Sequence, residues 1–143
     1  MQDGWSNRHS TEGGRRQLYP DYRFSKTHEW VSKKGDLAKI GITDYAQSQL
    51  GDILHVEIAE VGDILTAGDV FGSVDSGKAV SDLVSPVSGQ VVEVNDDLAE
   101  SPELINEDPH TAGWMMIVRM DDPSEMSDLM NSEQYEEFTE GEA

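Results

Sequence analysis

Short apolar runs broken by polar and glycine-containing turns dominate the chain from Tyr22 onward. Glu29-Trp30-Val31, a turn at Lys33-Lys34-Gly35-Asp36, and partial alternation over Leu37–Ile42 predict a β-hairpin. Thr43 carries a side-chain oxygen suited to cap a short helix over residues 44–50, with Gly51 as its stop. A strand is expected over residues 53–58. The pairs Gly51-Asp52, Gly62-Asp63 and Gly68-Asp69, each beside an apolar residue, read as turns at short intervals. Residues 70–74 and Leu83-Val84 flank Asp75-Ser76-Gly77-Lys78-Ala79, where Ser76-Gly77 favours a tight turn. Gly89 leads into Val91-Val92-Glu93-Val94. Pro102 and Pro109 frame a loop, and Trp114-Met115-Met116-Ile117-Val118 reads as a last core strand. Beyond Pro123 the period becomes helical: Ser124 starts a short helix to Leu129 and Ser132 caps a second to Phe138, a helical segment over about 124–139 that packs on the sheet as a lid. The methionines there read as core filler. The expected fold class is mainly β, a sandwich or small barrel of short antiparallel strands, with a short helix after Thr43 and C-terminal helices.

Residues 1–20 hold glycines, serines and three arginines without apolar periodicity, so a disordered N-terminal extension is expected, followed by one domain over 21–143. That extension carries Asp3 and Glu12 and no amphipathic face, which argues against a mitochondrial presequence. With 143 residues and 36% hydrophobic content the chain supplies one modest core. Cysteine is absent, which excludes disulfides, thiolate zinc sites and cysteine nucleophiles; any thiol chemistry must arrive on an attached group. The net charge of −19 opposes nucleic acid and anionic membrane and favours basic partners or small cations. From Ile40 onward there are 24 acidic residues and only two basic ones, Lys78 and Arg119. An acidic, lysine-poor surface also fits solubility or a high-salt cytoplasm and names no function.

A lysine at a β-turn is, taken alone, usually a solvated charge. Its surroundings here add meaning. A site for an acylating enzyme must be exposed, rigidly framed and set in a recognisable backbone shape, and a lysine on a glycine-containing hairpin meets all three conditions. Asp75 before it and Ser81-Asp82 after it give the tip a polar signature. His28, His55 and His110 stand singly, without ligand-like spacing or a nucleophile beside them, so no metal or acid–base reading is drawn. Trp30 and Trp114 are expected in the core at strand positions.

The stretch from Val74 to Asp82, followed by Ser85-Pro86-Val87-Ser88-Gly89 and Val92-Glu93-Val94-Asn95, resembles the lipoyl-attachment hairpin of glycine cleavage H proteins. His28-Glu29-Trp30-Val31, Gly41-Ile42-Thr43-Asp44-Tyr45-Ala46-Gln47 with Leu50-Gly51-Asp52, Leu104-Ile105-Asn106 and Gly113-Trp114-Met115 agree with the same family in order and spacing. Gly77 stands where the family usually has valine, Asp75 where it has glutamate and Ala59 where it commonly has proline. The first two departures are expected to loosen the hairpin.

The resemblance implies a hybrid barrel-sandwich fold, no enzyme activity, and (R)-lipoate joined to Lys78 through an amide that removes the ammonium charge. Asp75, Ser76, Gly77 and Ala79 would form the recognised hairpin. The implied partners are a lipoate ligase or lipoyl transferase and three enzymes. A pyridoxal-phosphate glycine decarboxylase loads an aminomethyl group, a tetrahydrofolate-dependent aminomethyltransferase unloads it, and a dihydrolipoyl dehydrogenase reoxidises the dithiol. The loaded arm ends in an amine, for which Thr27, Glu29 and Asp82 would line an acidic cleft. Alternatively, Glu29 closes a strand-end hydrogen bond and Asp82 a turn. A lipoyl domain of another complex, a biotinyl domain and a non-carrier or lipoate-relaying H-like protein share a hairpin lysine. Methionines typical of biotinyl sites are missing around Lys78. A cytoplasmic monomer is expected, or a matrix protein if the extension is a presequence.

Overall fold

The computed structural model describes residues 22–142, without the Glu142 side chain; the expectation for residues 1–20 lies outside this range. The architecture is mainly β, with two antiparallel sheets and short helices. Strands β1 (Tyr22–Phe24), β2 (Glu29–Lys34) and β3 (Leu37–Ile42) run consecutively, and the β2–β3 hairpin turns through Gly35-Asp36 alone, Lys33 and Lys34 belonging to the strand. Helix α1 (Asp44–Leu50) begins at Thr43, whose side chain accepts the Ala46 N–H, and stops at Gly51. β4 (His55–Ile58), β6 (Val70–Asp75) and β7 (Val80–Val84) form the smaller sheet in the order β4-β6-β7. β5 (Ile64–Leu65), β8 (Gly89–Val94) and β9 (Met116–Met120) complete the larger sheet, whose order is β1-β2-β3-β9-β8-β5.

Two of the three glycine-acid turns, those at Gly62-Asp63 and Gly68-Asp69, share a side-chain mechanism. Asp63 Oδ2 accepts the Glu60 N–H at 2.9 Å, and Asp69 Oδ2 accepts the Thr66 N–H at 2.8 Å, so each aspartate closes the turn that precedes it.

Four expectations need correction. The segment between Pro102 and Pro109 is no plain loop: α2 (Asp97–Glu100) lies just before it and α3 (Leu104–Glu107) within it, each too short to show a periodicity. The first C-terminal helix is a 3₁₀ turn, Pro123–Asp128, started by Asp122, whose carboxylate accepts the Ser124 N–H and hydroxyl at 3.1 and 2.6 Å. The second, α4 (Ser132–Glu142), is capped by Asn131 instead of Ser132. Asn131 Oδ1 accepts the Gln134 N–H at 2.8 Å and Gln134 Oε1 accepts the Asn131 N–H at 2.9 Å, a reciprocal capping box. Trp114 precedes β9 and is half-buried, with the Lys39 ammonium 5.2 Å from its ring.

The main core lies between the sheets and includes Val31, Ile40, Leu83, Val91, Met116 and Val118. A second, aromatic cluster of Tyr22, Phe24, Trp30 and Tyr135 binds α4 to β1 and β2. Phe24 stacks on Tyr135 at 4.7 Å, and the buried Trp30 donates its indole N–H to Pro109 O at 2.9 Å. The 3₁₀ turn is fastened through Glu125, which accepts the Ser88 N–H and hydroxyl at 2.7 and 2.8 Å, and Met126 enters the main core. The C-terminal segment therefore packs on the β structure as expected.

Candidate functional site

β6 and β7 pair from Val70 to Asp75 against Val84 to Val80, and Ser76-Gly77-Lys78-Ala79 spans the tip. Ser76 N–H donates to Ala79 O at 3.0 Å, and Asp75 Oδ1 accepts the Gly77 N–H at 2.8 Å. Gly77 takes φ +86°, the left-handed backbone required at the first central position of a glycine-first hairpin turn. The tip is thus braced by backbone and carboxylate bonds. Lys78 occupies the second central position and is exposed, as are Gly77 and Ala79 on either side. Its ammonium has no ion pair among the described residues. A glycine before it and an alanine after it place no bulky neighbour in the chain beside this side chain.

The second locus is the turn between β1 and β2. The Glu29 side chain is buried, yet both its oxygens are matched: Oε1 accepts the hydroxyls of Ser25 (2.7 Å) and Thr27, and Oε2 accepts the Val84 N–H at 2.9 Å. β7 is an edge strand of its sheet, so this carboxylate fills a position left open by the absent neighbour strand. Burial raises the Glu29 pKa from the ordinary carboxylate range, while the bonds from Thr27, Val84 and Ser25 pull it back. Thr27 is exposed beside it, and Asp82 is exposed on β7, paired with Ser73 in the strand and not in a turn. The structure joins Thr27 directly to Glu29. Asp82 comes near only through β7, two residues before Val84, and Lys78 lies six residues before Val84, roughly 20 Å of extended strand.

His28 sets this corner. It has φ +74°, left-handed for a residue other than glycine, and its Nδ1 lies 2.7 Å from the Tyr135 hydroxyl, which lies 2.7 Å from Thr43 Oγ1. His28 O also accepts the Thr43 N–H at 3.1 Å. One tyrosine of α4 thereby ties the turn bearing Glu29 to the cap of α1. Among the described residues no three histidine, aspartate or glutamate side chains converge as a metal site.

Sequence reasoning missed Ser25, Val84 and Tyr135, whose parts depend on contacts across the fold. No local pattern marks them.

A small two-sheet β domain that presents a lysine on a braced hairpin tip has the architecture of group-carrying domains. The chain matches the family model described as glycine cleavage H-protein over residues 22–142. It is 53% identical over 119 residues to the glycine cleavage system H protein of Bacillus pumilus, covering 83% of this chain and 94% of that one. It is 48% identical over 124 residues to that of an Anaeromyxobacter species, covering 87% and 97%. A crystal structure of a glycine cleavage system H protein from Mycobacterium marinum superposes with a TM-score of 0.76 at 36% identity, covering 82% of this chain and 95% of that one. The chain belongs to the glycine cleavage H-protein family. It is accordingly a lipoyl carrier of the glycine cleavage system, without catalysis of its own, and it works with the other components of that system.

Proposed function

We propose that Lys78 is the lysine that carries lipoate. The single observation supporting this is its position at the exposed centre of the β6–β7 tip, flanked by the exposed Gly77 and Ala79. The hairpin formed by Asp75, Ser76, Gly77 and Ala79 is the shape read by a lipoate ligase or lipoyl transferase. Bound there, lipoate would supply a dithiolane disulfide able to accept the aminomethyl group of glycine on one sulfur, the dithiol left after its release being the form the dehydrogenase would reoxidise. The protein visits three enzymes in turn: the pyridoxal-phosphate decarboxylase, the tetrahydrofolate-dependent aminomethyltransferase and the dihydrolipoyl dehydrogenase.

The chain's own contribution is positioning and shielding. Thr27, bonded to the buried Glu29, and Asp82, two residues before Val84 on β7, offer exposed oxygens, so this corner gives an arm-borne amine an acidic resting place. The protein acts as a monomer in the cytoplasm, with residues 21–143 as its carrier domain. No described helix is long and apolar enough to cross a membrane.

The test is peptide mass spectrometry of the protein from its own host. A lipoyl adduct on Lys78, absent from Lys78→Arg, supports the assignment. An unmodified Lys78 in cells containing ligase and lipoate overturns it in favour of a non-carrier member of the family.

A further inference from the structure

Between α1 and β4 the chain runs through Gly51, Asp52, Ile53 and Leu54, and one side chain fixes its course. Asn106, on α3, accepts the Ile53 N–H on Oδ1 at 2.8 Å and donates from Nδ2 to Gly51 O at 2.9 Å and to Gln47 Oε1 at 2.8 Å. Of the four hydrogen-bonding positions of this amide, two are spent on this stretch and a third on Gln47 of α1 just before it. Leu54 N–H then donates to Asp75 O at 2.8 Å, laying the stretch alongside the end of β6.

Two contacts with the hairpin tip follow. A Cβ placed on Gly77 would stand 3.0 Å from Leu54 Cδ1, so the leucine side chain lies directly against the tip. A Cβ placed on Gly51 would stand 3.4 Å from Lys78 Nζ and 3.6 Å from its Cε, so the end of the lysine lies over Gly51. The C-terminal end of α1, which has no basic residue in its last turn, therefore lies beside that ammonium. Leu54 is 63% exposed, so burial in the core does not explain its place. Val80, 65% exposed, pairs with Asp75 on the other side of the tip.

We infer that the Gly51–Leu54 stretch, held by Asn106, is a floor that positions the hairpin tip and its lysine for acylation. This rests on the assignment of Lys78 as the attachment site. Leu54 and Asn106 are positioning residues: they act through the tip and touch no reacting atom, while Gly51 lies beneath the end of the lysine. An acylating enzyme must accept the lysine in one conformation, and a tip already held in shape spares the ordering cost at encounter. Loss of the floor therefore weakens recognition of the carrier as a substrate and leaves the chemical step unchanged.

The experiment measures initial rates of lipoylation of the full chain by a purified lipoate ligase with ATP and lipoate, read by intact and peptide mass. The variants are Leu54→Ala, Leu54→Val and Asn106→Ala, each checked for an unchanged thermal melt. The expected result is a KM for the carrier raised fivefold or more in Leu54→Ala, with kcat within twofold of wild type and Leu54→Val largely restored. Amide exchange at residues 76–79 should quicken in the same variant. Because Leu54 is exposed, that variant keeps the test valid even where Asn106→Ala fails to fold. A folded Leu54→Ala with wild-type KM overturns the inference. Wild-type protein acylated elsewhere, or not at all, overturns the assignment of Lys78 instead.

Discussion

Glu29 Oε2 accepts the backbone N–H of Val84 at 2.9 Å, joining the first turn of the described chain to the open edge of β7. Truncation by Glu29→Ala strands that N–H and removes the shared acceptor of the Ser25 and Thr27 hydroxyls, at a cost of about 2–3 kcal/mol. Urea unfolding should show the midpoint shift without a change in slope. Asp82→Asn, at an exposed strand position, should leave the midpoint where it is and shorten the lifetime of the aminomethyl-loaded arm. An unchanged lifetime removes Asp82 from the shielding corner.

His110 makes stability depend on acid. Its Nε2 accepts the Asp44 N–H at 3.1 Å, and burial lowers its pKa to about 4 against the smaller opposing pull of Asp44 and Asp108. The unfolded chain therefore binds a proton below pH 6.5 that the folded chain refuses, and the stability present at neutral pH is lost as pH falls from 6.5 towards 4. The loss should reach at most about 3 kcal/mol. Glu29 has the opposite sign: with a raised folded pKa, its contribution declines as pH climbs above the ordinary carboxylate value. Melts across this range should follow the histidine, and His110→Gln should flatten the acidic limb.

Tyr135→Phe removes the hydroxyl shared by His28 Nδ1 and Thr43 Oγ1 and leaves the stacked ring on Phe24 in place. About 1–2 kcal/mol should be lost. Amide exchange should rise in the first turn of α1, whose cap Thr43 lies 92 residues from the substitution.

Gly77→Val tests the tip from the other direction. At φ +86° a β-branched residue is strained, and its Cβ would meet Leu54 Cδ1 at 3.0 Å. The substitution should cost about 1–3 kcal/mol. Adding Leu54→Ala should recover only the steric part. If Gly77→Val proves neutral, this turn does not need its glycine.

Local signals carried the parts of the molecule that sequence could reveal. The β2–β3 hairpin, the Thr43 cap, the Gly51 stop and the Lys78 tip each lie within a few residues of the pattern that announces them. The expected loosening at Asp75 and Gly77 reads differently in three dimensions, because the aspartate accepts the glycine N–H and Leu54 supports the tip from outside the hairpin. α2 and α3 were illegible because four residues cannot display a helical period. Asn131 escaped notice because a serine follows it and either residue type can cap. The bonds from Glu29 to Val84 and from Asn106 to Gly51 and Ile53 span more than fifty residues, and no window along the chain contains both ends.

The sheet order has a consequence for how the protein is made. β3 borders β9, whose first residue is synthesised long after Ile42, a wait of roughly 4–15 s at ordinary elongation rates. The β6–β7 hairpin, by contrast, is complete within a single local stretch of nascent chain. The tip bearing Lys78 can close while the larger sheet still lacks its central partner and the Tyr135 tie has yet to be translated. Asn106, which fixes the stretch beneath the tip, also follows the hairpin out of the ribosome. A half-made chain therefore displays Lys78 before Asn106, which holds the stretch beneath the tip, has been made.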